Sequence, residues 1–455
     1  MKIEDIVQKQ QSYFFTGVTK VVSYRMNALM KLKETIVAKE DMIVDALKKD
    51  LNKSEFESYM TEIGMVLDEI RFLMKHTPSW AKNKYCKTPL AQFAARSFVV
   101  SEPYGVVLIM SPWNYPFQLS IEPLVGAIAA GNCAILKPSA YAPHISEVIA
   151  DIIAECFPPE YITVIQGGRQ ENQELLEQKF NYIFFTGGVE VGKLVMEKAA
   201  RHLTPVSLEL GGKSPCIIDK TANLKLAAKR LAFGKYLNSG QTCVAPDYLF
   251  VHKDVKDKVV TYLKEYITAF FGAEPLENPD YPKIINEKHY QRIMGLIEGE
   301  NILVGGTGKN NSQIAPTILD NITPQSKVMQ EEIFGPILPI LTFERIEEVI
   351  SYVSSQPQPL AIYLFTTDRR MEKHIVNTIS FGGGCINDTI IHLATSHMGF
   401  GGVGQSGMGS YHGKLSFDTF SHKKSIVKKA NWIDLPMRYQ PYTKGKEKLV
   451  RMFLK

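Results

Sequence analysis

The chain has 455 residues, 45% of them apolar and 22% charged, with a formal net charge of +5. That length exceeds one ordinary core and predicts two domains of a globular protein, not a disordered or fibrous chain. From Ser421 onward ten Lys and Arg face only Asp434 and Glu447, so this segment carries +8 and the remainder about −3, which excludes a molecule-wide basic footprint for nucleic acid.

Residues 1 to about 80 read as amphipathic helices rich in Lys, Glu, Leu and Met. The opening MKIEDIVQKQ lacks a positive region followed by an apolar run, which predicts no secretory signal. From about Phe98 short β-type runs (106–110, 133–136, 162–165, 182–185, 206–208) alternate with helical stretches (121–130, 144–156, 171–178, 190–201). Such alternation with short links predicts a parallel sheet covered by helices. A second α/β series follows, with strand candidates at 216–218, 248–251, 337–341 and 361–365, and the expected seam lies at 208–212. Gly382–Gly384 and the glycine-rich stretch from Gly399 to Gly413 read as loops of this second series. The most apolar stretch, 124–136, is broken by Gly126, Gly131 and Asn132 and is too short to span a bilayer. Six cysteines are scattered without paired spacing, which predicts reduced thiols, a cytoplasmic location and no zinc cluster.

The chemistry centres on Cys243, in Asn238-Ser239-Gly240-Gln241-Thr242-Cys243-Val244-Ala245-Pro246. A thiol attacks carbonyl carbon as thiolate, so a nucleophilic role needs a neighbouring cation, base or helix N-terminus. The alternative is a buried core cysteine, although these small polar neighbours do not resemble a core strand. Glu209 follows Val206-Ser207-Leu208 and precedes Gly211-Gly212. At the carboxyl end of a parallel strand it is a candidate general base for water, or else a capping or surface carboxylate.

Phe185-Thr186-Gly187-Gly188-Val189-Glu190-Val191-Gly192-Lys193 ends a strand and opens a helix, where free N–H groups favour a pyrophosphate. An ordinary glycine-containing βα turn reads the same way. Lys137, in Leu136-Lys137-Pro138-Ser139, is a ribose or phosphate contact or a solvated lysine. Asn114, between Pro112 and Pro116, is an oxyanion donor or a turn-forming residue. Glu332 and Phe334, in Glu331-Glu332-Ile333-Phe334-Gly335-Pro336, offer a carboxylate for ribose hydroxyls and a ring for nicotinamide, or a helix end with a core Phe. His392 and His397 are acid/base candidates or loop structure.

The segments SPWNYPF (111–117), LKPS (136–139), FFTGGVEVGK (184–193), LELGGKSP (208–215), GQTCVAPDY (240–248), EEIFGP (331–336) and GFGGVGQSGMGSYHGKLSFDTFSH (399–422) together resemble the aldehyde dehydrogenase superfamily, in its class 3 and fatty-aldehyde branch. The resemblance runs from about residue 10 to 440. It implies two Rossmann-like parallel-sheet domains and a small bridging β element. The cofactor domain would comprise 1–81 and 101–208, and the catalytic domain 209–420. Strands within 82–100 and 421–435 would bridge subunits of a homodimer, and 436–455 would form a basic tail.

The resemblance also implies oxidation of an aldehyde to its acid with NAD or NADP. Cys243 would form a thiohemiacetal, Asn114 and the Cys243 N–H would hold the oxyanion, and Glu209 would activate the water that hydrolyses the thioester. Lys137, Thr186, Gly187, Gly188, Gly192, Leu210, Glu332 and Phe334 would contact the cofactor. One departure bears on cofactor choice. The family often has Glu where this chain has Ala140, a carboxylate that would repel a 2′-phosphate, so NADP use at least equal to NAD is expected. Two rivals share the fold: a coenzyme-A-acylating or reductive enzyme, and a non-catalytic protein. The first does not need Glu209; the second would have lost Cys243 or Glu209, and both are present. The aldehyde expected from the branch is medium-to-long aliphatic or aromatic.

Overall fold

The computed structural model describes residues 2–454. Its first eighty residues form the helices Ile3–Phe15, Val22–Ala38, Glu40–Leu51 and Gly64–Trp80. Leu29, Leu32 and Ile36, then Ile43 and Leu47, then Val66, Ile70 and Leu73 recur at helical spacing and are fully buried. Those stripes pack on the helices Gln118–Ala130 and Pro143–Cys156. Between Ser54 and Gly64 the chain makes a short helix, Glu55–Ser58, and a π-helical turn, Tyr59–Ile63. Such turns often mark functional sites, and the sequence pattern gives no warning of this one.

The first sheet runs, in order, Gly407–Met408, Val206–Leu210, Tyr182–Gly187, Val106–Met110, Cys133–Lys137, Ile162–Val164. The last five are mutually parallel. Val106–Met110 is buried along its length because helices cover both faces, so it reads as a continuous apolar run. The chain leaves this strand toward Ile162–Val164, then returns to its other side with Tyr182–Gly187. Strand order therefore reverses there, where open α/β sheets bind ligands beyond their carboxyl ends.

The second sheet has seven strands: Asn301–Val304, Thr317–Asp320, Ile337–Phe343, Tyr248–His252, Pro215–Ile218, Ala361–Phe365, Gly383–Ile386. Only Asn301–Val304 is antiparallel to its neighbour. A third, antiparallel sheet joins Lys84–Cys86, Ala95–Pro103 and Ser421–Lys429. The basic tail ends in the helix Lys444–Phe453. Among the described residues no helix is long and apolar enough to cross a membrane.

Two expectations need correction. The glycines near 383 are not a loop: Gly383–Ile386 is a parallel edge strand on Ala361–Phe365. A Cβ on Gly384 would stand 2.1 Å from the Ile362 carbonyl oxygen, so the missing side chain is what admits this close pairing. Nor is the stretch from Gly399 to Gly413 all loop of the second series. Gly407–Met408 pairs antiparallel with Val206–Leu210, Gly407 facing Glu209, and returns the chain to the first sheet. Lys414–Thr419 then packs on Gln118–Ala130, where a Cβ on Gly126 would stand 2.9 Å from that of Ser416. Buried Phe417 and Phe420 anchor this return.

Candidate active site

Loops from the two large sheets meet around Cys243. After the helix Leu224–Tyr236 the chain turns through Asn238, Ser239 and Gly240 at φ 51°, 52° and 72°. Left-handed backbone is costly for Asn and Ser and persists only where surroundings enforce it. Here the Asn238 N–H donates to Glu57 Oε1 (2.9 Å), Asn238 Nδ2 to the Asn114 carbonyl (2.8 Å), and Ser239 Oγ to the Pro282 carbonyl (2.7 Å). Gln241 Nε2 donates to the Lys283 carbonyl (3.0 Å), and the Ile285 N–H donates back to Gln241 Oε1 (3.0 Å). A Cβ on Gly240 would stand 2.3 Å from the Gly335 carbonyl oxygen.

The loop delivers Cys243, half-buried, to the wall of a cavity of about 180 Å³ lined mainly by apolar groups such as Met60, Leu119, Phe233, Ile391 and Phe400. Burial, with Glu332 and Glu209 adding to it, pushes the thiol up to about 12. It is therefore protonated at neutral pH, and attack on a carbonyl requires that its proton be taken up.

Asn114 is buried, and its Nδ2 donates to the Gln241 carbonyl at 3.0 Å. Beside it Tyr115 OH bonds Thr242 Oγ1 at 2.6 Å. The reading of Asn114 as a mere turn residue does not hold, because its side chain joins the two loops. Glu209 lies in the strand Val206–Leu210, is 3% exposed, and has no hydrogen-bond partner on either carboxyl oxygen. Burial alone raises its carboxyl well above the ordinary range. A surface or capping role is thereby excluded. Paired with it in strand register is Thr186, whose buried hydroxyl also lacks a partner.

A second, polar cavity of about 770 Å³ runs between the start of the helix Val189–Ala200 and the Glu331-Glu332 loop. Val189, Lys193, Gly211, Gly212 and Glu332 line it. Glu332 is held so close to the chain that a Cβ on Gly211 would stand 2.2 Å from its Oε2. Burial, then Asp247, raises its carboxyl to about 8, against the opposing Gly212 N–H, Lys213 and Arg292. Gly192 lets the helix sit on the first sheet: its Cβ would stand 2.6 Å from Leu210 Cδ2. A Cβ on Gly187 would meet the Phe185 ring at 2.5 Å, whereas Gly188 faces open space. Phe334 adopts φ 49° and packs edge-on to Trp113, ring centroids 5.3 Å apart. Lys137 is not solvated: it is 3% exposed, and its amine donates to the Pro138 and Gly167 carbonyls at 2.9 and 2.7 Å. Burial lowers its affinity for the proton.

These features fit a dinucleotide. The polar cavity adjoins a helix N-terminus, unpartnered Thr186 lies on the strand that leads to it, and Glu332 offers acceptors for hydroxyls. His392 and His397 take no part in this constellation. His392 Nδ1 lies 3.6 Å from Cys385 Sγ, and His397 packs edge-on to Phe72.

The sequence reading missed the clamps. Lys213 pairs with buried Asp247 and donates to the Val328 and Glu331 carbonyls at 3.1 and 2.8 Å, while the Ile333 N–H donates to Asp247 Oδ1 at 2.9 Å. Arg292 donates to the Glu332 and Ile333 carbonyls at 3.2 and 2.6 Å. Lys213 and Asp247 lay inside two of the quoted motifs, and their opposite charges were the available signal.

The sequence model of the Aldehyde dehydrogenase family matches residues 2–426. The chain belongs to the aldehyde dehydrogenase family. The 4,4'-diaponeurosporen-aldehyde dehydrogenase of Staphylococcus aureus is 48% identical, across 100% of this chain and 99% of that protein. The "Aldehyde dehydrogenase, dimeric NADP-preferring" of Canis lupus familiaris is 44% identical, across 97% and 98%. A solved substrate-bound structure of Staphylococcus aureus AldH superposes with TM-score 0.98 at 47% identity, covering 100% of both chains. An NAD-dependent aldehyde dehydrogenase structure from Sinorhizobium meliloti gives TM-score 0.85 at 27% identity, covering 95% of this chain and 88% of that one. This aldehyde dehydrogenase thus has the fold of Rossmann-like parallel sheets that its motifs implied, and it oxidises aldehydes with NAD or NADP.

Proposed function

We propose that this aldehyde dehydrogenase acts on apolar aldehydes, medium-to-long aliphatic or aromatic, and releases the free acid. The observation that carries this is the apolar cavity with Cys243 in its wall. In this reading Cys243 Sγ bonds the aldehyde carbon while the thiol proton passes to oxygen, giving a thiohemiacetal. Asn114 Nδ2 and the Cys243 N–H donate to that oxygen while it carries charge, an interaction worth roughly 3–4 kcal/mol in hydrolases. With NAD(P) bound as the two-electron acceptor, the carbon would give up a hydride and its hydroxyl a proton to solvent, leaving Cys243 as a thioester. Glu209 then takes a proton from water as the water oxygen bonds the thioester carbon. The carbon–sulfur bond breaks, the acid departs and Cys243 regains its proton.

Lys137 and Glu332 hold ribose hydroxyls in this reading. Thr186, Gly187, Gly188, Gly192 and Leu210 shape the pyrophosphate turn, and Phe334 packs by the nicotinamide. Glu209, buried without a partner, favours hydrolysis over acyl transfer to coenzyme A. The enzyme works as a cytoplasmic homodimer. The three-stranded sheet with Ser421–Lys429 at its edge supports the dimer, and six free cysteines support the compartment.

A panel of aldehydes from two to about sixteen carbons tests the substrate class, with the aldehyde named for the Staphylococcus aureus relative included. A buried methylene contributes about 0.8 kcal/mol, so kcat/KM is expected to rise about fourfold per carbon until the cavity is filled. A flat profile, or acyl-CoA as product when coenzyme A is supplied, sinks the proposal. Light scattering of the purified protein checks the dimer.

A further inference from the structure

Lys53 is fully buried, as is Glu62, and its amine donates to Glu62 Oε1 at 2.5 Å. Neither residue belongs to a motif in the sequence. Lys53 follows the helix Glu40–Leu51, and Glu62 sits on the π-helical turn Tyr59–Ile63. The pair spends its remaining bonding capacity on one loop. Lys53 Nζ donates to the Asn114 carbonyl at 3.1 Å and stands 4.0 Å from the centroid of the Tyr115 ring. Glu62 Oε2 accepts the Phe117 and Gln118 N–H groups at 2.8 and 3.3 Å. The Asn114 carbonyl also takes a bond from Asn238 Nδ2 at 2.8 Å. Lys53 and the start of the nucleophile loop therefore share one acceptor.

A buried ion pair is a poor source of stability. Taking both charges out of water offsets most of their attraction, and apolar pairs of similar volume often do as well. Its directional bonds do what an apolar pair cannot: they fix where a backbone carbonyl points. Here that carbonyl belongs to Asn114, whose carboxamide bonds the Gln241 carbonyl two residues before Cys243.

We propose that Lys53, paired with Glu62, is a positioning residue that holds the Asn114 carboxamide in register with Cys243. The inference rests on the oxyanion role proposed for Asn114. It assigns a part in the reaction to the N-terminal helices, which carry none of the reacting groups.

Three variants test it: Lys53→Met, Asn114→Ala and the two combined. Lys53→Met is expected to lower kcat at least tenfold while aldehyde KM and the NADP Kd change less than threefold. In the Asn114→Ala background the same change is expected to alter kcat less than twofold, because the group it positions is gone. If Asn114→Ala alone leaves kcat intact, the oxyanion reading fails. If Asn114→Ala is impaired but Lys53→Met is not, or the two losses multiply in full, the positioning inference fails. Should Lys53→Met not fold, the charge-free swap Lys53→Met with Glu62→Leu replaces it. A folded swap with kcat within twofold of the parent overturns the inference; a tenfold loss with KM held supports it.

Discussion

Asn114 Nδ2 donates to the Gln241 carbonyl at 3.0 Å, a bond between residues 127 positions apart that closes one sheet's loop on the other's. One amide hydrogen is used in this bond, and the proposed mechanism assigns the second to the reacting oxygen. Asn114→Ala is expected to lower kcat about 10²- to 10³-fold, the scale for losing one oxyanion donor. Steady-state kinetics at saturating cofactor measures it, and a loss under threefold would exclude the role.

Cys243 carries the covalent chemistry in this reading, and its loop is held by backbone and side-chain bonds that do not involve the sulfur. Cys243→Ala is expected to reduce aldehyde oxidation to background while leaving NADP binding within about threefold, read by quenching of intrinsic fluorescence. Retained turnover in this variant would remove the thiohemiacetal from the mechanism.

Burial raises the Glu209 carboxyl, so its base form becomes populated only as pH climbs through that raised value. kcat is expected to increase from neutral into alkaline pH, and Glu209→Gln to lose both the activity and that limb. The stability effect has the opposite sense. A carboxyl whose folded-state pKa exceeds its unfolded one costs stability as pH rises above the unfolded value. Glu209→Gln is therefore expected to melt above the parent at pH 8 and level with it at pH 4. Thermal denaturation at the two pH values decides this.

Gly211 leaves room for Glu332, since its Cβ would stand 2.2 Å from Oε2. The obstructing atom is the end of a side chain, so Gly211→Ala should displace Glu332 and spare the fold. A rise of about tenfold or more in cofactor KM, with Tm little changed, is expected. An unchanged KM would separate Glu332 from cofactor binding.

Ala140 is exposed and follows Lys137 by three residues. With no carboxylate there to repel a 2′-phosphate, kcat/KM with NADP is expected to equal or exceed that with NAD, and Ala140→Glu to shift the ratio about tenfold toward NAD. A parent enzyme preferring NAD a hundredfold would refute the first part.

The parallel core was legible because its strands are short apolar runs bounded by turn residues. Val106–Met110 and Ala361–Phe365 match their expected limits to the residue. Gly383–Ile386 and Gly407–Met408 were illegible for the opposite reason. Glycine carries no β-propensity signal, and at Gly384 and Gly407 a neighbouring carbonyl comes too close for any side chain. The π-helical turn Tyr59–Ile63 was hidden too, since its residues keep the apolar spacing of an ordinary helix.

The sequence by itself determined the family and the class of reaction, because seven motifs stand in the family's order. It marked Cys243, Glu209 and Asn114 as candidates, each in a loop or strand end with small neighbours. Tertiary structure alone decided how these groups are held and how they titrate. Burial is a property of the assembled fold, and burial is what leaves Glu209 without a partner and the Cys243 thiol protonated. The same holds for Lys53 and Glu62. Their proximity to Asn114 depends on packing across 61 positions from Lys53 to Asn114, which no short motif can encode.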